Sequence, residues 1–487
     1  MSLGNLVKRL QDIMRNDAGV NGDAQRIEQI VWILYLKGND YLESLEGFSN
    51  DDYEPILKGD YKWSNWAFDN KDGKALTGEE LLDFVNNKLF PTLKNIEINE
   101  NSSSYKKILR SVFEDTNNYM KDGTLLRQVI NVIDEIDFGN YKEVHALGDI
   151  YESILRSLQS ANNAGEFYTP RALTDFIISR IKPKLGETIA DFACGTGGFL
   201  TSALNALEKE VKTTEEREQY NNSVYGIEKK GLPFLLCATN MIIHKVSSPM
   251  IFHSNSLEKD VREYNESDKF EVIVMNPPYG GSEKDIIKNN FPASLRSSET
   301  ADLFVSLIMY RLKSNGRAAI ILPDGFLFGE DNAKVAIKSK LLSEFNLHTL
   351  VRLPNSVFAP YTSISTNILF FDNSPPCGEI WFYRVDMPFG YKNFSKTKPI
   401  KFEHFNEVIE WWENRENIIV DGFDKARVYS IDEIKRRNYN LDLCGYPHEE
   451  EDILEPNELI NIYKSRREVL NSEIDSLLET ITCILNN

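Results

Sequence analysis

The sequence contains no apolar run long enough to cross a bilayer, which takes about 20 consecutive apolar residues. Its first residues, MSLGNLVKRLQDIMRND, turn polar too soon to form a signal-peptide core. Cysteine is sparse. Cys194, Cys237, Cys377, Cys444 and Cys483 are scattered and form no CxxC pair. That argues against a disulfide framework or a zinc site, so no metal site is expected, and it fits a reducing, cytoplasmic compartment. There is no low-complexity tract and no internal repeat. Positive charge is short as well, with 55 Lys and Arg against 74 Asp and Glu and a formal net charge of −19. Taken alone, this is a poor footprint for a nucleic-acid binder, which neutralises phosphates with Lys and Arg. The chain is then either a soluble metabolic enzyme or a protein whose partner carries most of the charge for DNA. Composition does not decide between these.

The 487 residues are 41% hydrophobic and 26% charged, an ordinary globular composition. Single cores stop growing at roughly 250–300 residues, so two or three domains are expected. Residues 1–150 read as a helical domain: Ile27, Ile30, Val31, Ile33, Leu34 and Leu36 recur at helical spacing, as do Ile108, Leu109 and Val112 and the apolar residues of 125–136. From 151 the texture changes. TIADFA (188–193), SVYGIE (223–228), FEVIVMNPP (270–278) and GRAAIILP (316–323) read as buried parallel strands. Helical stretches (199–210, 231–245, 301–313) separate them, which predicts a doubly wound α/β sheet of Rossmann-like type. Residues 376–450 are mixed, with WFYRVDMP, the basic stretch KTKPIK and Trp411-Trp412, and read as an extension of the domain that spans 151–450. In 451–487, Leu470, Ile474, Leu477, Ile481 and Ile484 alternate spacings of four and three. This is an a/d seam on a C-terminal helix, suited to partner helices or to packing on its own domain.

Four elements carry chemistry. Asp191-Phe192-Ala193-Cys194-Gly195-Thr196-Gly197-Gly198-Phe199 follows a strand and opens a helix. Its glycines permit a tight curl and close backbone approach to a ligand, and the helix start offers unpaired N–H groups. The spacing is not GxGxxG, and the acid before the loop repels phosphate but suits the ammonium of a methionine moiety. Glu228 ends the next strand, where a carboxylate can accept both ribose hydroxyls of an adenosine cofactor. Asn276-Pro277-Pro278-Tyr279 ends the strand after that. The Asn276 side-chain oxygen and the Pro277 carbonyl can each accept one hydrogen of an adenine N6, favouring a pyramidal, nucleophilic nitrogen. Proline stiffens the loop, and Tyr279 offers a ring to stack on a base taken out of the duplex. Last, Glu166-Phe167-Tyr168-Thr169-Pro170-Arg171 precedes the catalytic domain, where its hydroxyls, backbone and aromatics can close over a cofactor. In isolation each element has a plain alternative: a strand–helix turn, a solvated helix cap, a proline turn, a helix start.

In this order the four elements resemble the amino-group DNA methyltransferases. Gly316–Gly325 and Leu353–Thr362, with the N-terminal stretches LVKRLQDIMRND and QIVWILYLK, narrow the resemblance to modification (M) subunits of type I restriction–modification systems. It covers most of residues 1–375. The resemblance implies S-adenosyl-L-methionine as cofactor and adenine N6 in DNA as target. Catalysis then falls to Asn276, Pro277, Pro278 and Tyr279. Cofactor binding falls to Glu166, Phe167, Tyr168, Thr169, Pro170, Arg171, Asp191, Cys194, Gly195, Thr196, Gly197, Gly198 and Glu228. The implied partners are DNA, a specificity (S) subunit, a second copy of the chain and, in a full system, a restriction (R) subunit; no membrane is implied. Where the family has an acidic residue after the third strand, this chain reads Ser254-Asn255-Ser256-Leu257, and Asn255 is expected to take over the contact to the cofactor's adenine. Phe358 and Tyr361 are candidates for the second face of the flipped base. The rival readings are a methyltransferase of RNA guanine or protein glutamine, which shares NPPY, a self-sufficient adenine methyltransferase, and an assembly scaffold with a relic site.

Overall fold

The computed structural model describes residues 3–49, 53–69, 75–140, 151, 168–359, 362, 364–395, 397–446 and part of 460–479. Met1–Gly445 forms one compact unit and Tyr446–Asn487 a second.

The first third is helical, as its periodicity predicts. Its longer helices are α1 (Leu3–Met14), α2 (Asp23–Ser49), α3 (Ser104–Asp115) and α4 (Gly123–Asp134). Ser103 and Asp122 cap α3 and α4, their side chains accepting from backbone N–H groups of the first turn. Then α5 (Arg171–Ile181) leads into the sheet.

Ten strands form one mixed sheet: β1 (Ile189–Asp191), β2 (Val224–Glu228), β3 (Met250–His253), β4 (Phe270–Met275), β5 (Leu312–Pro323), β6 (Asn346–Arg352), β7 (Thr366–Asp372), β8 (Glu379–Arg384), β9 (Ile418–Val420) and β10 (Phe423–Ser430), in the order β3-β2-β1-β4-β5-β7-β6-β8-β10-β9. The four strands read from apolar runs are β1, β2, β4 and β5, and they pair parallel. β7 then inserts antiparallel between β5 and β6. Residues 379–430 add β8, β9 and β10 to the same sheet.

Alternation along the strands separates two cores. In β4, Val272 and Val274 face one core, and Ile273 and Met275 the other. In β7, Ile368 and Phe370 face the first, and Leu369 and Phe371 the second. Parallel strands buried on both faces need apolar residues at every position, which is why β4 reads as a continuous run.

Helices α6 (Gly198–Glu208) and α7 (Gly231–Ile243) cover the first face, and α8 (Thr300–Arg311) the second. The sequence of α7, GLPFLLCATNMII, is apolar all round because it is covered on two sides. One side lies against β2 and β3, and the other against α2 and α3. The N-terminal helices thereby share a core with the sheet. No helix of the described residues is long and apolar enough to cross a membrane.

Candidate active site

The parallel strands β2, β1 and β4 are neighbours, so their carboxyl ends lie side by side. Between β1 and β4 the strand order reverses, the place where open α/β sheets bind ligands. The glycine loop leaves β1, Glu228 closes β2, and Asn276 follows β4. Three segments far apart in sequence thus meet at one edge.

The loop folds back toward β2. Cys194 N donates to Ile227 O (3.0 Å), and Gly195 N to Glu228 Oε2 (2.9 Å). Lys230 N donates to the other Glu228 oxygen at 2.8 Å. These two bonds fix the Glu228 carboxylate at the carboxyl end of β2, beside the glycine loop. Gly197 caps α6 with φ +82°, and a Cβ there would lie 3.0 Å from Cys237 Sγ. Gly195 is also left-handed, at φ +54°, but a Cβ there would meet open space. The loop therefore presses on α7 on one side and stands open on the other.

Asp191 is buried at the base of the loop, with Oδ1 accepting from Ala193 N at 3.0 Å. Burial, opposed by that hydrogen bond and reinforced by the Glu228 charge, pushes its pKa up to about 8. A buried carboxylate beside a second carboxylate is a site that a cation relieves.

Asn276 and Tyr279 are half-buried, Pro277 is buried and Pro278 exposed. Asn276 Nδ2 donates to Thr169 Oγ1 at 3.0 Å, and the Tyr279 hydroxyl donates to Asn276 Oδ1. The Asn276 amide is thereby oriented, nitrogen toward Thr169 and oxygen toward the Tyr279 side. Burial raises the Tyr279 hydroxyl pKa well above its ordinary value, which keeps it neutral. Arg171 lies two residues beyond Thr169. Its guanidinium donates to Gly198 O (2.6 Å) and to the Thr201 hydroxyl. The 168–171 segment thus ties the start of α6 to the residue at the end of β4.

The model of the N-6 DNA methylase family matches residues 142–453. Over 490 aligned positions the chain is 49% identical to the EcoEI type I restriction enzyme methylase subunit of Escherichia coli, spanning 100% of this chain and 98% of that one. This chain belongs to the N-6 DNA methylase family, among the type I methylase subunits. Solved structures agree. A modification subunit of a putative type I restriction enzyme from Vibrio vulnificus YJ016 is 40% identical, with a TM-score of 0.79 over 89% of this chain and 93% of that one. A chain from a study of complex assembly and conformational transition of the type I restriction–modification system is 33% identical, with a TM-score of 0.81 over 98% of each. The family's chemistry is methylation of adenine N6 in DNA, and the chain is an enzyme of that class.

In this N-6 DNA methylase the residues picked out from sequence fall as follows. Asp191, Cys194, Gly195, Gly197, Gly198, Glu228, Thr169, Arg171 and Asn276 belong to the network above, and Thr196 joins it through its carbonyl, which accepts from α7. Tyr168 is partly buried against the first core, and Pro170 opens α5. Asn255 lies two residues past β3, with Oδ1 accepting from Leu257 N at 3.2 Å. Glu166, Phe167 and Tyr361 lie outside the described residues. Phe358 is 1% exposed and sits in the core, so it is not presented to a base in this structure.

Other members of the network went unread. Asn240 of α7 donates to Thr196 O at 2.7 Å, and Cys237 lies under Gly197 with its sulfur 3.8 Å from that of Cys194. The signal for Asn240 was available: a lone amide in an otherwise apolar helix turn needs a partner. Asp324, in the 316–325 segment, pairs with Arg352 of β6 (3.3 Å) and accepts from Asn367 of β7 (2.7 Å), joining β5, β6 and β7 at the same edge.

Proposed function

We propose that this methylase binds S-adenosyl-L-methionine on the β1–β2 side of the edge and receives a flipped adenine on the β4 side, with sequence recognition supplied by a specificity subunit. The carrying observation is the meeting of the glycine loop, Glu228 and Asn276 at adjacent carboxyl ends of parallel strands. The residues fit the cofactor. Gly195 leaves open space above the loop, and the buried Asp191 calls for a cation. Asp191, Cys194 and Gly195–Gly198 would hold the methionine end, Glu228 the ribose, Asn255 the adenine, and Glu166–Arg171 would close over them. When bound, S-adenosyl-L-methionine supplies an electrophilic methyl group on a sulfonium.

The chain's own part is to make adenine N6 nucleophilic. Thr169 holds the Asn276 amide so that Oδ1 accepts one N6 hydrogen, while the Pro277 carbonyl accepts the other. Both bonds strengthen as the nitrogen becomes pyramidal, so they favour the transition state over the ground state. Asn276 Oδ1 has two lone pairs, so it can accept an N6 hydrogen beside the Tyr279 hydroxyl. The Tyr279 ring is the surface on which the base stacks.

In the second unit, Leu470, Ile474 and Leu477 are helical and more than half exposed, and Ile481 and Ile484 lie outside the described residues. This seam is read as a contact for helices of the specificity subunit, in a complex that holds a second copy of the chain and, for restriction, an R subunit.

A footprinting experiment tests the division of labour. The chain alone is expected to bind duplex DNA weakly and without sequence preference, and addition of the specificity subunit to produce protection at a defined sequence. Protection at a defined sequence by the chain alone would replace this reading with that of a self-sufficient methyltransferase.

A further inference from the structure

Residues 387–401, MPFGYKNFSKTKPIK, hold four lysines and no acidic residue in a chain whose net charge is −19. This stretch leaves β8, and the sheet register fixes where. Arg384 of β8 pairs with Arg352 of β6, Arg352 with Asn367 of β7, Asn367 with Leu322 of β5, and Ile320 of β5 with Met275 of β4. The 387–401 segment therefore emerges from the same edge as Asn276, four strand positions away. At 4.7–4.9 Å between neighbouring strands, that is about 19 Å. Along B-DNA, with a rise of 3.4 Å per base pair, about 19 Å is five to six base pairs, roughly half a turn.

The segment is held in place. Phe394 is buried, its N–H donates to Ser356 Oγ at 2.8 Å, and its ring stacks on His404. Ile400 is buried as well. Around these anchors Lys392, Lys398 and Lys401 are exposed, and among the described residues none of the three has a carboxylate within ion-pair distance. Lys398 rests over the Tyr391 ring, 5.6 Å from its centroid. Three exposed lysines without ion-pair partners among the described residues, on an anchored loop of an acidic protein, make a local positive patch suited to a polyanion.

We infer that residues 387–401 are a contact for the phosphate backbone of the duplex flanking the target adenine. Lysine suits this task as a point charge that positions the duplex without reading sequence. The inference rests on the reading of the chain as a DNA methylase and assigns its backbone contact to one loop.

The test compares two triple variants of the full chain, Lys392→Ala/Lys398→Ala/Lys401→Ala and Lys184→Ala/Lys209→Ala/Lys212→Ala. Both remove three exposed lysines, but the second set lies at the opposite edge, before β1 and after α6. Binding to a short labelled duplex of arbitrary sequence is followed by fluorescence anisotropy over a salt series, and S-adenosyl-L-methionine affinity is measured in parallel by calorimetry. Each lost phosphate contact lowers the slope of log K against log salt by about 0.9, so the loop variant should lose about 2–3 in slope while the control keeps the wild-type slope. Cofactor affinity should be equal in all three proteins. Equal slopes in the two variants would overturn the inference, as would a loop variant that keeps its DNA slope and loses only its hold on the specificity subunit. Failure of the wild-type chain to bind cofactor would strike the underlying reading instead.

Discussion

Asn276→Ala should abolish methyl transfer while leaving cofactor affinity within about twofold of wild type. The Asn276 amide contacts Thr169 and Tyr279, and no hydrogen bond joins its side chain to the glycine loop or to Glu228 among the described residues. Removing one comparable transition-state hydrogen bond costs other enzymes about 10²–10³ in kcat, so a single-turnover rate lower by at least about 10² is expected. Rapid-quench transfer from labelled S-adenosyl-L-methionine, with calorimetry on the same variant, separates the two quantities. A near wild-type rate would show that the residues after β4 do not hold the target. Loss of cofactor affinity in step with rate would show that Asn276 belongs to the cofactor pocket.

The mirror-image result is expected at the loop. Gly197→Val places a β-branched residue at φ +82° with its Cβ 3.0 Å from Cys237 Sγ. Strain of this kind costs about 1–3 kcal/mol, enough to lower cofactor affinity by about 5- to 150-fold if it is relieved by displacing the loop. Because that variant can also misfold, Asp191→Asn provides a gentler one. It keeps the acceptor for Ala193 N and removes the charge. Burial and the Glu228 charge push Asp191 up to about 8 in the free protein, and a bound cationic methionine end favours its ionised form. The ionised fraction of the free protein therefore falls as pH drops below that value, and affinity should fall by up to about tenfold per pH unit. Above about 8 the wild-type affinity levels off. Asp191→Asn should bind weakly at pH 8 and lose this dependence. A wild-type affinity flat from pH 6 to 8, or an Asp191→Asn profile that still rises, would remove Asp191 from the cofactor site.

How much of this was written in the chain varies by element. β1, β2, β4 and β5 were legible because burial on both faces forces an unbroken apolar run, and the motifs stood at their ends. The position of β7 was not. The ILFF run of β7 matches the VIVM run of β4, and nothing local says that β7 runs antiparallel between β5 and β6. β10 was harder still: FDKARVYS is half exposed, so its apolar signal is diluted. At the site, sequence order could place Asn276 beside the glycine loop only through a family likeness. Its bond to Thr169 spans 107 residues and is a consequence of the fold. The pairing of Cys194 with Cys237, read from sequence as scattered thiols, arises in the same way from α7 packing under the loop.

The most direct test is to identify the methylated base. The chain with its specificity subunit is incubated with S-adenosyl-L-methionine and a duplex carrying the recognised sequence, and the DNA is digested to nucleosides for mass spectrometry. N6-methyldeoxyadenosine should accumulate, and should be absent when the chain carries Asn276→Ala. Methylation of cytosine alone, or an equal yield of N6-methyldeoxyadenosine from the variant, would contradict the assignment of Asn276–Tyr279 as the site that receives adenine.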